Sequence, residues 1–147
     1  MSEFGGDTRQ EVAASAQRCL EVAAAVENYP GWHAAVSAVE VLERDSSGRP
    51  VLVAAEIDAN VRTVKLRLRF AYGPTTVSCE RESGDLSSMR ATFAFAELDQ
   101  GRTQVSYSAL MDPGRLLSML IRGPVVEHVR KKLVDDTIAG FKRTAEG

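Results

Sequence analysis

Cysteine, histidine and tryptophan are scarce in this chain. Its 147 residues hold two Cys, two His and one Trp. Two cysteines cannot form the framework of a disulfide-stapled secreted domain. Cys19 and Cys79 are far apart, and neither has a His or a second Cys at metal-ligand spacing. Both are therefore expected as reduced, packed thiols, and no metal site is expected. No apolar run approaches the roughly 18 residues of a spanning helix, so no integral membrane segment is expected. The N-terminal stretch lacks the basic start and apolar run of a secretory leader, and a cytoplasmic location is the expectation. Charge of neither sign dominates, with 18 Lys and Arg against 20 Asp and Glu. That balance is unlike the strongly basic surface of a nucleic-acid binder, and no nucleic-acid partner is expected.

Catalytic signatures are missing as well. There is no Gly-rich phosphate loop, no Gly-x-Ser-x-Gly elbow and no His-Glu-x-x-His. The two histidines, His33 and His128, are widely separated, and nothing in the sequence pairs either with a nucleophile or an orienting carboxylate. Both are expected as surface residues. No cofactor is implied.

What remains is an ordinary apolar content of 44% with 26% charged residues, enough to close one core in a single domain over residues 1–147. Phe4-Gly5-Gly6 reads as a loose terminus and Thr8–Ala13 as a short opening strand. Ser15 suits a helix N-cap. From Ala16 to Val26 the apolar positions Ala16, Cys19, Leu20, Ala23 and Val26 recur at helical spacing. Asn28-Tyr29-Pro30-Gly31 ends that helix, and Trp32 opens a second short helical turn.

Between Ala38 and Met111 the period changes to two, and turn signals at 45–50, 59–60, 73–74, 83–85 and 99–101 divide the stretch into six antiparallel strands. In the longest, Val64, Leu66, Leu68, Phe70 and Tyr72 alternate with Lys65, Arg67 and Arg69, giving one buried and one wet face. The basic row is expected to be neutralised by Glu56 and Asp58 on one side and Glu80 and Glu82 on the other, and not to form a phosphate-binding patch. Alternation also puts Arg81 on the apolar face. It is expected to pair with Glu43 or Asp136 or to reach out at the strand end. After Asp112-Pro113-Gly114 the chain is helical. Leu116, Leu117, Leu120 and Ile121 form a stripe that could gate an opening. Gly123-Pro124 restarts a helix, which presents Val126, Val129, Leu133, Thr137 and Gly140 on one face.

These parts make an α+β domain. The long C-terminal helix must cover the apolar side of a curved sheet. One helix is only about 10–12 Å across, so a cavity is expected between sheet and helix.

Three segments carry a resemblance. Tyr29-Pro30-Gly31-Trp32-His33 resembles the Tyr/Phe-Pro-x-Trp segment that follows the first helix in bacterial START-like proteins. Ser37–Asp45 resembles their next strand, and Gly101-Arg102-Thr103-Gln104-Val105 resembles the start of their last strand. Over residues 8–145 the chain thus resembles the START-like (SRPBCC) superfamily, which includes polyketide cyclases and dehydrases and lipid-transport proteins. The resemblance implies a helix-grip fold, with a curved seven-stranded antiparallel sheet around a long C-terminal helix and two short helices after the first strand. Aromatic cyclases of that superfamily carry a Trp-rich strand signature, which Arg62–Tyr72 lacks.

The expected ligand-binding surface is Trp32, Phe70, Tyr72, Met89, Phe93, Phe95, Tyr107, Met111, Leu117, Ile121 and Val125, converging between sheet and helix. Tyr and Trp add polar tips to an apolar wall, and Met adapts its shape. The first reading is a binding or carrier protein for a small hydrophobic ligand such as a lipid, quinone or polyketide-like molecule. The second is a polyketide cyclase or dehydrase, with Tyr72, Arg81, Tyr107 or His33 as acid, base or carbonyl-polarising group. The third is a protein-interaction module. The sequence leaves the oligomeric state open.

Overall fold

Alternation of apolar and polar residues sets the strands of the computed structural model, which describes residues 3–60, 62–99 and 101–147 and every side chain among them except that of Leu116. Gln100, in the expected 99–101 turn, and the Leu116 side chain in the expected gate stripe lie outside that description. The strands are β1 (Phe4–Val12), β2 (Val36–Arg44), β3 (Pro50–Asp58), β4 (Thr63–Tyr72), β5 (Thr76–Gly84), β6 (Ser88–Glu97) and β7 (Thr103–Asp112). They form one antiparallel sheet in the order β1-β7-β6-β5-β4-β3-β2. Neighbours in sequence pair from β2 to β7, and β1 returns to the free side of β7. Register shifts at Val36/Ala38 and Val41/Glu43 in β2, and opposite Arg67/Leu68, where β5 carries the extra residue Glu82, mark bulges. Bulges bend a sheet, and this one is curved.

β1 starts earlier than the sequence predicts. Phe4-Gly5-Gly6 is strand and not a loose terminus, with Gly5 opposite Leu110 and Gly6 opposite Ala109. Gly5 has φ +149°, and a Cβ there would collide with the Ala109 carbonyl. The glycines that read as flexibility serve close backbone approach.

Helix α1 (Ala16–Ala24) begins where the Ser15 Oγ accepts from the Arg18 N–H at 3.1 Å, and it buries Cys19, Val22 and Ala23. It stops two residues short of the predicted end, and a 3-10 turn (Val26–Gly31) follows. After β7, the Asp112 Oδ1 accepts from the Gly114 N–H at 2.9 Å and opens the one-turn helix α2 (Gly114–Leu117). Leu117 and Ile121 are buried, but Leu120 is half exposed and Met119 is 67% exposed. Pro124 starts α3 (Pro124–Lys131), a π turn (Lys132–Asp136) follows, and α4 (Thr137–Glu146) closes the chain.

The basic row of β4 is neutralised in part. Lys65 stands opposite Glu56, and Arg69 stands opposite Glu80 while donating from Nε to Glu82 at 2.6 Å. Arg67 faces Ala54 and Ser83, and Asp58 turns to Lys132 at 2.8 Å. No helix among the described residues is long and apolar enough to cross a membrane.

Helix α4 meets the sheet side of the molecule at one tight point. The main chain at Gly140 packs on the Trp32 carbonyl so closely that a Cβ would overlap the oxygen. Gly140→Ala is expected to destabilise the fold by about 1–3 kcal/mol through overpacking, even though Ala favours a helix interior by up to about 1 kcal/mol. Urea unfolding of the two proteins measures the difference. A variant as stable as the parent would show that the contact relaxes freely.

Candidate functional site

The concave side of the sheet divides into a filled half and a hollow half. Phe141 of α4 fills the first. Its ring stacks on Phe93 at 4.9 Å and Phe95 at 6.0 Å, and Trp32 meets it edge-on at 5.6 Å. The second half holds a cavity. Its walls come from β2 (Val36, Val39), β3 (Val53, Ala55, Ile57), β4 (Leu68, Phe70) and β5 (Val77, Ser78, Cys79). They continue through Met89, Ala91 and Phe93 of β6 and Tyr107 of β7. Its roof is Val26, Tyr29 and His33, from the 3-10 turn and the residues just after it. No residue of α3 or α4 lines it, so the expected roof, the C-terminal helix, is corrected to the 3-10 turn. The reason is Phe141, whose ring occupies the space beneath the helix.

The cavity volume is about 30 Å³, room for one or two water molecules. It is smaller than the ligand-sized space expected from the width of the sheet. Phe70, Met89, Phe93 and Tyr107 are in its wall. Trp32, Tyr72, Phe95, Met111, Leu117, Ile121 and Val125 are not. Sequence reasoning chose aromatic and Met side chains and passed over the short Val, Ala and Ile of β3 and Tyr29. Yet Val53, Ala55 and Ile57 show the same alternation, and a hollow forms where side chains are short.

The polar groups proposed for catalysis are mostly committed elsewhere. The Tyr72 hydroxyl donates to the Pro50 carbonyl, and burial pushes it up to about 12. The Tyr107 hydroxyl donates to the Leu133 carbonyl in the π turn at 3.2 Å, and burial raises its pKa strongly. Tyr29 donates to the Ala23 carbonyl, and burial likewise raises it well above the usual phenol value. Arg81 does not point a free guanidinium at the site, nor does it pair with Glu43 or Asp136. Its Nη2 and Nε donate to the Gly84 and Asp85 carbonyls at 2.7 and 3.2 Å, closing the β5–β6 turn at the strand end. Burial pushes the Cys79 thiol up to about 12, so it stays protonated. Both cysteines are free. Among the described residues no group of three His, Cys, Asp or Glu is placed to hold a metal ion.

His33 is the exception, and it departs from the surface residue expected. The ring is half-buried and packed against Tyr29 at 5.6 Å and Trp32 at 5.5 Å. Its Nδ1 accepts from the Ala35 N–H at 3.1 Å and the Val36 N–H at 3.3 Å. The Thr137 Oγ1 lies 3.4 Å from the same nitrogen but gives its proton to the Lys132 carbonyl at 2.9 Å. Two donors aimed at Nδ1 leave that nitrogen unprotonated, so the network assigns the ring hydrogen to Nε2. Among the described residues, Nε2 has no hydrogen-bond partner. Burial lowers the pKa of His33 to about 3, and the amide donors at Nδ1 act in the same direction. The sequence signal for this arrangement is slight, since the partners are main-chain groups two and three residues onward.

Residues 12–138 match the family described as polyketide cyclase / dehydrase and lipid transport. Two solved structures share the fold closely. A START superfamily protein from Mycobacterium smegmatis is 17% identical with a TM-score of 0.79, over 97% of this chain and 98% of its own. The Zhui aromatase/cyclase from Streptomyces sp. R1128 is 19% identical with a TM-score of 0.80, over 99% of this chain and 94% of its own. No curated protein matches the chain in sequence.

The depressed His33 pKa has a definite sign. The unfolded histidine takes up a proton near pH 6.5 and the folded one only near 3. Its contribution to stability is therefore complete above about pH 6.5 and is lost as pH falls toward 3. The loss is at most about 1.4 kcal/mol per pH unit, less where solvent reaches the ring. His33→Asn offers an acceptor that does not titrate. It is expected to flatten this part of the stability profile, measured by urea unfolding between pH 7 and pH 4. Parallel profiles for the two proteins would refute the assignment.

Proposed function

Because the chain belongs to the polyketide cyclase/dehydrase and lipid-transport family, and because its cavity is walled almost wholly by carbon, we propose that it binds a small hydrophobic ligand in that cavity as a carrier. The observation that carries this reading is the commitment of the wall's phenols. Tyr29 and Tyr107 both donate to main-chain carbonyls, which leaves no acid–base pair in the wall. A wall that is almost wholly apolar suits binding better than turnover.

A volume of about 30 Å³ does not admit such a ligand as the cavity stands. The roof must rise. It is the cheapest element to move, because a 3-10 turn is held by poorer hydrogen bonds than an α-helix. The filled half stays fixed by Phe141.

Native mass spectrometry of the protein purified from its own host is expected to show a bound species that organic solvent removes. A parallel titration with the neutral apolar dye Nile red is expected to saturate at one site. Ala91→Leu, which grows a side chain into the cavity, is expected to weaken dye binding at least about tenfold while secondary structure is kept. That factor corresponds to about 1.4 kcal/mol. A protein that is always ligand-free and does not take up dye would refute the reading.

A further inference from the structure

The segment that joins β7 to α3 carries the most exposed large apolar side chains among the described residues. Met119 is 67% exposed and Leu120, beside it, is 50% exposed. Their exposure is fixed by their neighbours. Leu117 and Ile121, four residues apart, are both buried. The N–H groups of Leu120 and Ile121 donate to the Leu117 carbonyl at 2.9 and 2.8 Å, which holds the segment in a helical turn. With Leu117 and Ile121 turned inward on one face, Met119 and Leu120 stay on the other. The chain enters and leaves this tip through Gly114 and Gly123, at φ +82° and +62°, where other residues are strained.

Charge is distributed unevenly here. From Pro113 to Val126 there are two arginines, Arg115 and Arg122, and no acidic residue, although the whole chain is net −2. Both arginines are exposed, and among the described residues neither makes an ion pair. The next carboxylate along the chain, Glu127, is taken by Arg130 at 2.8 Å.

We infer that the tip between β7 and α3 docks the protein on an anionic lipid bilayer, with Met119 and Leu120 entering the interface and Arg115 and Arg122 meeting lipid phosphates. Exposed apolar side chains as such fit a protein or a membrane. Size and charge favour the bilayer. A stable protein interface takes about 20–30 residues a side, far more than this tip offers. A bilayer needs no shaped partner: its interface accepts apolar side chains at any lateral position, and its phosphates accept the paired hydrogen bonds of a guanidinium. Two apolar residues and two cations make a weak, reversible anchor. None of these four residues lines the cavity, so the inference stands apart from the carrier reading.

Co-sedimentation of the full chain with vesicles tests it. Vesicles of equal parts phosphatidylcholine and phosphatidylglycerol are expected to bind at least about tenfold tighter than vesicles of phosphatidylcholine alone. Raising salt from roughly 0.01 to 0.1 M shortens screening from about 30 to about 10 Å and is expected to remove most of that preference. Arg115→Gln and Arg122→Gln are each expected to weaken binding to the mixed vesicles roughly fivefold. Met119→Gln with Leu120→Gln is expected to weaken it at least about tenfold, with urea unfolding unchanged because both side chains are at the surface. Should that pair fail to fold, Met119→Gln alone and the parent's lipid preference decide the matter. No binding to the mixed vesicles, equal binding to both kinds, or binding that all four substitutions leave intact would overturn the inference. So would a dimer in sedimentation velocity that Met119→Gln with Leu120→Gln dissolves, since the tip would then be covered by a second copy. Each of these results leaves the carrier reading to its own test by dye uptake.

Discussion

The main chain of α4 touches the main chain at Trp32, and the concave side of the sheet is arranged around that contact. Glycine at position 140 is what allows it, since a Cβ there would overlap the Trp32 carbonyl. The next residue, Phe141, then drops its ring onto Phe93 and Phe95. One turn earlier, Thr137 comes to 3.4 Å from His33. A single close approach thus sets the aromatic plug, the lie of the 3-10 turn and the neighbourhood of His33. It also decides which half of the sheet is filled. A helix held so near at Gly140 fills the space beneath it with Phe141, and the hollow is displaced to the strands that only the short turn covers.

The same economy governs the polar groups. A buried hydroxyl must find an acceptor or incur a desolvation cost. Each of the three tyrosines finds a main-chain carbonyl: Ala23 at the end of α1, Pro50 at the start of β3 and Leu133 in the π turn. The bonds of Tyr72 and Tyr107 tie together segments 22 and 26 residues apart. They also remove the hydroxyls from any ligand chemistry, and burial raises all three phenols so that none is an effective acid near neutrality. The tyrosines that look reactive in a sequence are here structural.

The strands were legible because alternation is a local property, written in each residue's own pattern. Ser15 and Gly123-Pro124 were legible for the same reason, since caps act over three or four residues. The N-terminal glycines were not. Gly5 reads as slack in a window of neighbours, and its reason lies in Ala109, far along the chain. Arg81 kept its predicted parity, but the hairpin carbonyls of Gly84 and Asp85 took its guanidinium. The π turn left no pattern to find. The site was less legible than the fold because a cavity is a property of what several elements fail to fill. Its roof depended on Gly140 and Phe141, its hollow on Val53, Ala55 and Ala91, and the free nitrogen of His33 on two amide hydrogens that no side-chain pattern records.

Why the hollow is small can be argued from magnitudes. An empty apolar void costs roughly 24 cal/mol per Å³ in lost packing. At about 30 Å³ the cost is near 0.7 kcal/mol, which a domain of ordinary stability carries without difficulty. A dry void of about 300 Å³, the lower end of ligand pockets, would by the same coefficient cost around 7 kcal/mol. That is comparable to the whole stability of a small domain. A small cavity is therefore what an apolar concave wall favours when nothing is bound, and under the proposed carrier role the 3-10 turn is the part that opens. In such a fold the closed cavity and the capacity to bind are compatible, because the ligand's own apolar surface replaces the contacts that opening the roof gives up.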